Sequence, residues 1–141
     1  MSYEEKGTWQ YLLIAVAGYV VYLVLVLPRL ADTPVGDVDY AWPMLWTIVG
    51  AIVAAIVLRI VVEIVWSSEE HRGDQRDRDI ARAGDRVGYA FVVAGAIGAL
   101  LLSWAEADWF WVANAIYLGF VLMAVSSATV KIVAYRRGGI Q

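Results

Sequence analysis

The run Trp42-Pro43-Met44-Leu45-Trp46-Thr47-Ile48-Val49-Gly50-Ala51-Ile52-Val53-Ala54-Ala55-Ile56-Val57-Leu58-Arg59-Ile60-Val61-Val62-Glu63-Ile64-Val65-Trp66 carries only two charges, Arg59 and Glu63, both near its end. At about 1.5 Å per helical residue it would reach about 37 Å, beyond the roughly 30 Å of a bilayer's hydrocarbon core. Hydrocarbon offers backbone N–H and C=O groups no partners, so a spanning segment must satisfy them internally. An outer-membrane barrel would instead show alternating segments of about ten residues. The run therefore predicts a transmembrane helix.

Three more runs read the same way. Residues 8–28 are uncharged up to Leu27, residues 87–104 are apolar, and residues 109–135 are interrupted only by Lys131. The expected fold is all-α: an integral membrane bundle of four transmembrane helices over about 8–28, 42–66, 87–104 and 109–135, with a cytoplasmic loop at 67–86. All 141 residues form one domain in this reading. The chain is 61% hydrophobic and 18% charged, against about 45–50% and 25% in soluble domains, which argues against a soluble or disordered protein.

Punctuation and belts support the spans. Pro28 is expected to close the first helix, Asp39 and Pro43 to cap and open the second, and Asp108 to cap the fourth. Trp9, Tyr11, Trp66, Tyr89 and Tyr135 fall toward one membrane face, and Tyr40, Trp42, Trp46, Trp104, Trp109 and Trp111 toward the other, as interfacial aromatic belts do. The flank before the first run includes Glu4 and Glu5 and lacks a signal peptide's basic region, so that run is expected to stay as an anchor.

Orientation follows from cations. Lys6, Arg72, Arg76, Arg78, Arg82, Arg86, Lys131, Arg136 and Arg137 fall on one side, and only Arg29 on the other. The positive-inside rule predicts a multi-pass protein of the cytoplasmic (inner) membrane with both termini and the middle loop in the cytoplasm. Gly18-Tyr19 recurs as Gly88-Tyr89, and Trp42 with Gly50 as Trp111 with Gly119. Two tandem helical hairpins related as a parallel repeat would give such offsets, and so would chance similarity between apolar sequences.

Chemistry-bearing residues are sparse. Net charge is −3 and the isoelectric point about 5.0, which gives nucleic acid no attracting field. Cysteine is absent and His71 is the one histidine, so no metal centre is expected. Glu69, Glu70, His71 and Asp74 lack calcium-loop spacing. Ser126, Ser127, Thr129 and Asn114 find no base for nucleophilic catalysis and read as hydrogen-bonding groups. Neither an enzyme nor a cofactor is expected.

Arg59 and Glu63, four residues apart on one helix face, predict an ion pair near the cytoplasmic interface; the competing reading makes Glu63 a coupling carboxylate. Ala90, Ala94 and Gly98 form a small-residue ridge, with Gly95 and Ala99 beside it, and Gly50 with Ala54 a second. Together with Gly84 and Gly88 these are expected to be intramolecular packing seams, with a homodimer seam as the rival reading. Gly84 and Gly88 share the spacing but straddle the predicted interface.

The middle segment pairs charges at helical spacing, Asp74 with Arg78, Asp79 with Arg82 and Arg82 with Asp85, and aligns Ile80, Ala83 and Val87. It reads as a short amphipathic helix leading into the third span. Asp74-Gln75-Arg76-Asp77, followed by Ile80, Arg86 and Gly88-Tyr89, resembles the Asp-Glu-Arg-Asp signature of small, functionally uncharacterised prokaryotic four-helix membrane proteins. Gln75 stands where that signature has glutamate. The resemblance implies the signature residues Asp74, Arg76, Asp77, Arg86, Gly88 and Tyr89 at the opening of the third helix. Members are often encoded beside helix-turn-helix regulators, which implies a signalling or accessory role. The leading expectation is a non-enzymatic accessory or regulatory protein of the bilayer that meets a cytoplasmic protein, or another copy of itself, through its middle segment. The alternative is a small oligomeric transporter or channel using Glu63 and the fourth helix.

Overall fold

The computed structural model describes residues 3–65 and 75–137. Those residues form α1 (Tyr3–Asp32), α2 (Ala41–Val65), α3 (Gln75–Trp104) and α4 (Trp109–Arg136), with one 3-10 turn at Val35–Asp37. All four helices are long and apolar enough to cross a membrane. No strand occurs among the described residues.

α2 lies on α1, α1 on α4, and α4 on α3, so the helices stand in the order α2-α1-α4-α3. α4 is flanked on two sides and buries Tyr117, Ala124 and Ala128. α2 leaves most of its isoleucines and valines exposed. In hydrocarbon such a face costs nothing, because lipid chains are as apolar as the side chains.

Several boundaries depart from the sequence reading. Pro28 lies inside α1, which continues to Asp32. Proline removes one helical N–H, and so close to the helix end few bonds remain to be lost. Asp39 does not cap α2. The Tyr40 carbonyl accepts from the Met44 N–H at 2.9 Å, while Arg29 Nη1 donates to the Asp39 carbonyl at 2.6 Å and lies 3.9 Å from its carboxylate. A cation in the last turn of α1 also suits the negative end of the helix dipole. Asp108 does precede α4, with its carbonyl accepting from Trp111 at 2.9 Å, but its side chain makes no capping bond. It lies against Gly36 in the 3-10 turn instead. Residues 75–86, expected as a short amphipathic helix within the 67–86 loop, are helical and form the first three turns of a continuous α3; residues 67–74 of that loop lie outside the described residues.

The α3–α4 turn closes with two bonds typical of a left-handed helix end. Ala107 donates to Leu102 at 3.0 Å and Glu106 to Ser103 at 3.1 Å. The left-handed residue is Glu106, at φ 57°, where glycine is unstrained and any side chain costs about 1–2 kcal/mol. Glu106→Gly is therefore expected to stabilise the protein by about 0.5–1 kcal/mol once glycine's larger unfolded-state entropy is subtracted. Thermal unfolding in detergent measures this, and an unchanged or lower midpoint would count against the strain argument.

Of the expected small residues, the seam between α3 and α4 uses Gly84, Gly88, Gly95 and Ala99 and not the Ala90-Ala94-Gly98 ridge. Ala90 and Ala94 are exposed, and a Cβ on Gly98 would meet open space. The buried line is Ile80, Gly84, Gly88 and Ala99, with Gly95 against Gly119. Spacings of four and seven place these on one face, and the seam runs past Val87, where the sequence reading expected the interface, because α3 does. Gly50 also faces open space. The two hairpins differ as well: Tyr19 packs on the aromatic core, whereas its sequence counterpart Tyr89 is 69% exposed. Gly119 sits in a tight seam that Gly50 lacks.

Candidate functional site

The polar groups gather at the end of the bundle where α1 begins and α4 finishes. Glu5 is buried in α1, and Arg136 Nε reaches its carboxylate at 3.3 Å. On the other side of α4, the Tyr135 hydroxyl donates to Asp77 Oδ1 at 2.9 Å. Arg76 Nη2 donates to the Tyr135 carbonyl at 3.1 Å, with its guanidinium 5.4 Å from the Tyr135 ring centre. Lys131 Nζ meets Asp85 Oδ1 at 3.1 Å. Charge-assisted bonds thus tie α1 and α3 to α4 here, beside the buried Ile80 and Gly84 of the α3–α4 seam.

Of the signature residues, Arg76 and Asp77 are engaged with Tyr135, Gly88 is buried in the seam, and Arg86 and Tyr89 are exposed. Asp74, and with it the expected Asp74–Arg78 pair, lies outside the described residues. So do Glu69, Glu70 and His71. Asp79 and Arg82 pair at 3.8 Å as their spacing predicts. Asp85 turns to Lys131 rather than Arg82, the better partner because it is half-buried. Gln75 donates to Asp79 Oδ1 at 2.9 Å and accepts from Arg78 at 3.3 Å. An amide can do both, whereas an ionised glutamate at this position would repel Asp79. Ile80 and Gly84 face α4, while Ala83 is half-buried and Val87 exposed. The buried face is therefore i, i+4, i+8 from Ile80 and not the predicted Ile80-Ala83-Val87 line. The opposite face presents Arg78, Asp79, Arg82 and Arg86.

Arg59 and Glu63 do not pair. Arg59 crosses to α1 and lays its guanidinium over Gly7, where a Cβ would collide with it, and Glu63 is exposed. No ion pair among the described residues joins them. A long arginine with a glycine opposite reaches the neighbouring helix in preference to its own.

At the far end the buried polar groups satisfy each other. The Tyr22 hydroxyl donates to Asn114 Oδ1 at 2.6 Å, and Asn114 Nδ2 donates to the Phe110 carbonyl at 2.8 Å. Thr47 and Tyr117 share a hydrogen bond of 3.1 Å between α2 and α4. Tyr19, Tyr22 and Tyr117 stack edge and face around them. Ser126 and Thr129 bond back to Met123 and Val125 carbonyls. Trp42, Trp46, Trp104 and Trp109 stand exposed at this end, while Tyr40 turns inward onto Phe110 at 5.4 Å between ring centres.

Between α1, α2 and α4 lies an open groove of about 750 Å³. Its lining is apolar except for the mutually bonded Thr47 and Tyr117 hydroxyls and the Tyr11 side chain. Glu63 does not line it. No group of three or more metal-ligating side chains occurs among the described residues. Taken together, the fold and this site define an all-α bundle with four candidate membrane-spanning helices and one cation-rich end. Comparison with protein-family models, curated proteins and solved structures finds no match to this chain.

Proposed function

We propose that this is a multi-pass protein of the bacterial cytoplasmic membrane, with both termini and the α2–α3 connection in the cytoplasm. In this reading it is a non-enzymatic accessory or regulatory protein. Its cytoplasmic partner is a protein that meets the outward face of the first three turns of α3. The cation asymmetry supports the orientation. The observation that carries the docking reading is the form of residues 75–86. They project from the apolar run as rigid helix, with one face buried on α4 and Arg78, Asp79, Arg82 and Arg86 on the other. A pre-ordered charged face loses little entropy on binding and steers a complementary partner. The resemblance in Asp74-Gln75-Arg76-Asp77 agrees with this role. Asp77 and Arg76 would then fix the docking helix through Tyr135, leaving the outward residues to contact the partner.

Two measurements test this. Because the chain has no cysteine, Arg78→Cys gives a single labelling site. An impermeant maleimide is expected to reach it only in permeabilised cells; labelling of intact cells would reverse the topology. A photo-cross-linking residue at Arg82 is expected to give a discrete protein adduct, and one at lipid-facing Ala90 none. Reversing Arg78, Arg82 and Arg86 to glutamate should weaken the adduct about tenfold or more, since like charges opposed across an interface cost several kcal/mol. An adduct indifferent to that reversal would remove the docking role.

A further inference from the structure

We propose that the groove between α1, α2 and α4 binds one anionic phospholipid of the cytoplasmic leaflet, with an acyl chain in the trough and the phosphate at Arg59. The trough does not end blindly. A second hollow of about 430 Å³ continues it toward the charged end, and both share Tyr11, Ile14, Ala55 and Ile56. The lining changes along this path. Ala15, Gly18, Ala51 and Ala113 leave an apolar channel in the first part, and the second part, still mostly apolar, adds the Gln10 and Arg59 side chains beside Gly7. An apolar channel that closes on a guanidinium has the polarity of an amphiphile with an anionic head.

The depths agree. Arg59 lies eighteen residues along α2 from Ala41, about 27 Å of helix, which places it where a hydrocarbon core of about 30 Å gives way to headgroups. From Met44 to Arg59 the groove spans about 22 Å, longer than the roughly 15 Å that one leaflet contributes to the core. Gly7 keeps the guanidinium at the mouth, since any side chain there would displace it. Arginine's planar fork presents several donors and can hold a phosphate while bonding elsewhere. Cationic pockets between helices on the cytoplasmic side are a known form of anionic-lipid recognition. The inference rests on the bilayer placement proposed above and is independent of the docking face on α3.

The test is retention of defined lipids. The protein is placed in nanodiscs of mixed phosphatidylcholine and phosphatidylglycerol, extracted mildly, and weighed by native mass spectrometry. One phosphatidylglycerol per chain is expected to remain in preference to phosphatidylcholine. Arg59→Gln should lower that retention about tenfold, the scale of a lost charge-assisted hydrogen bond, and Arg59→Lys should restore most of it. Ala55→Phe, which blocks the junction of the two hollows, should lower retention of the lipid while leaving Arg59 in place. Equal retention of both lipids, an Arg59→Gln variant that retains phosphatidylglycerol like the parent, or displacement by inorganic phosphate would each overturn the proposal. Flotation of the proteoliposomes reads bilayer placement separately, and the Arg82 cross-link reads docking. Lost selectivity with intact flotation and cross-linking would therefore refute the lipid site alone.

Discussion

Gly95→Val is expected to force α3 away from α4 and to cost about 3 kcal/mol or more, at the upper end of what overpacking a filled site costs. A Cβ on Gly95 would stand 2.9 Å from the Gly119 Cα and 3.1 Å from the Ala115 carbonyl oxygen. The reciprocal Cβ on Gly119 would stand 3.1 Å from the Gly95 Cα and 3.2 Å from the Phe91 carbonyl oxygen. Every one of these neighbours is backbone, so no side chain can swing aside. In lipid the helices are held by van der Waals packing and hydrogen bonds, without a hydrophobic drive. Prising the two backbones apart at this crossing therefore forfeits dispersion energy that burying apolar area elsewhere does not restore. Thermal unfolding in detergent and protease sensitivity of the α3–α4 pair measure the effect. Gly98→Val and Gly50→Val are the controls: both face open space, and each should shift stability by no more than about 0.5 kcal/mol. If Gly95→Val behaves like them, α3 and α4 do not cross at Gly95 and Gly119.

That seam also shows what a one-dimensional reading reaches. Four helices are legible because apolar runs near twenty residues admit little else in hydrocarbon. The helicity of residues 75–86 is legible as well, from charges at helical spacing, but their unbroken continuity with the third span is not. Hydropathy reports which solvent a residue prefers, and residues 75–86 prefer water while remaining helical, so the solvent boundary at Val87 mimics a structural one. The face of α3 is hidden for a related reason. Lipid-facing and protein-facing positions are equally apolar, so Ala90-Ala94-Gly98 and Gly84-Gly88 carry the same small-residue spacing and only packing chooses between them. Gly84 and Gly88 become the better candidates once α3 is known to be continuous through the interface.

The charges divide along similar lines. Asp79 with Arg82 is local and readable from spacing. Arg59 with Gly7, Lys131 with Asp85 and Arg136 with Glu5 join residues that only the tertiary arrangement makes neighbours. In each, a flexible cation has a nearby helix to reach, and at Arg59 the absent side chain of Gly7 makes the room. Glu5 carries no signal of its own burial; its position in the charged flank before the first apolar run resembles a solvated one. The groove, too, is invisible in sequence, because its lining comes from three helices, α1, α2 and α4, that only the tertiary arrangement brings together.

Tyr22→Ala is the second large effect expected. Tyr22 is fully buried and stands between α1 and α4, its ring 4.9 Å from that of Tyr117 and 6.1 Å from that of Tyr19. Truncating a buried aromatic in a soluble core costs about 3–5 kcal/mol, combining lost transfer from water with the cavity left behind. Within a bilayer the separated helix already lies in an apolar medium, so the transfer part largely vanishes. The cavity and the missing ring packing remain, and the expected loss is about 2–3 kcal/mol. The hydroxyl contributes a smaller, separable share. Tyr22→Phe keeps the ring and removes the donor to Asn114, and should cost about 0.5–1.5 kcal/mol, the range for hydrogen bonds between membrane helices. Paired with Asn114→Leu, it should show coupling of comparable size, because each single change strands the other's polar group. Chemical unfolding of the four proteins in one detergent closes that cycle. Zero coupling would mean that the 2.6 Å hydrogen bond contributes nothing to holding α1 on α4, leaving ring packing to hold that contact beside the Thr47–Tyr117 bond between α2 and α4.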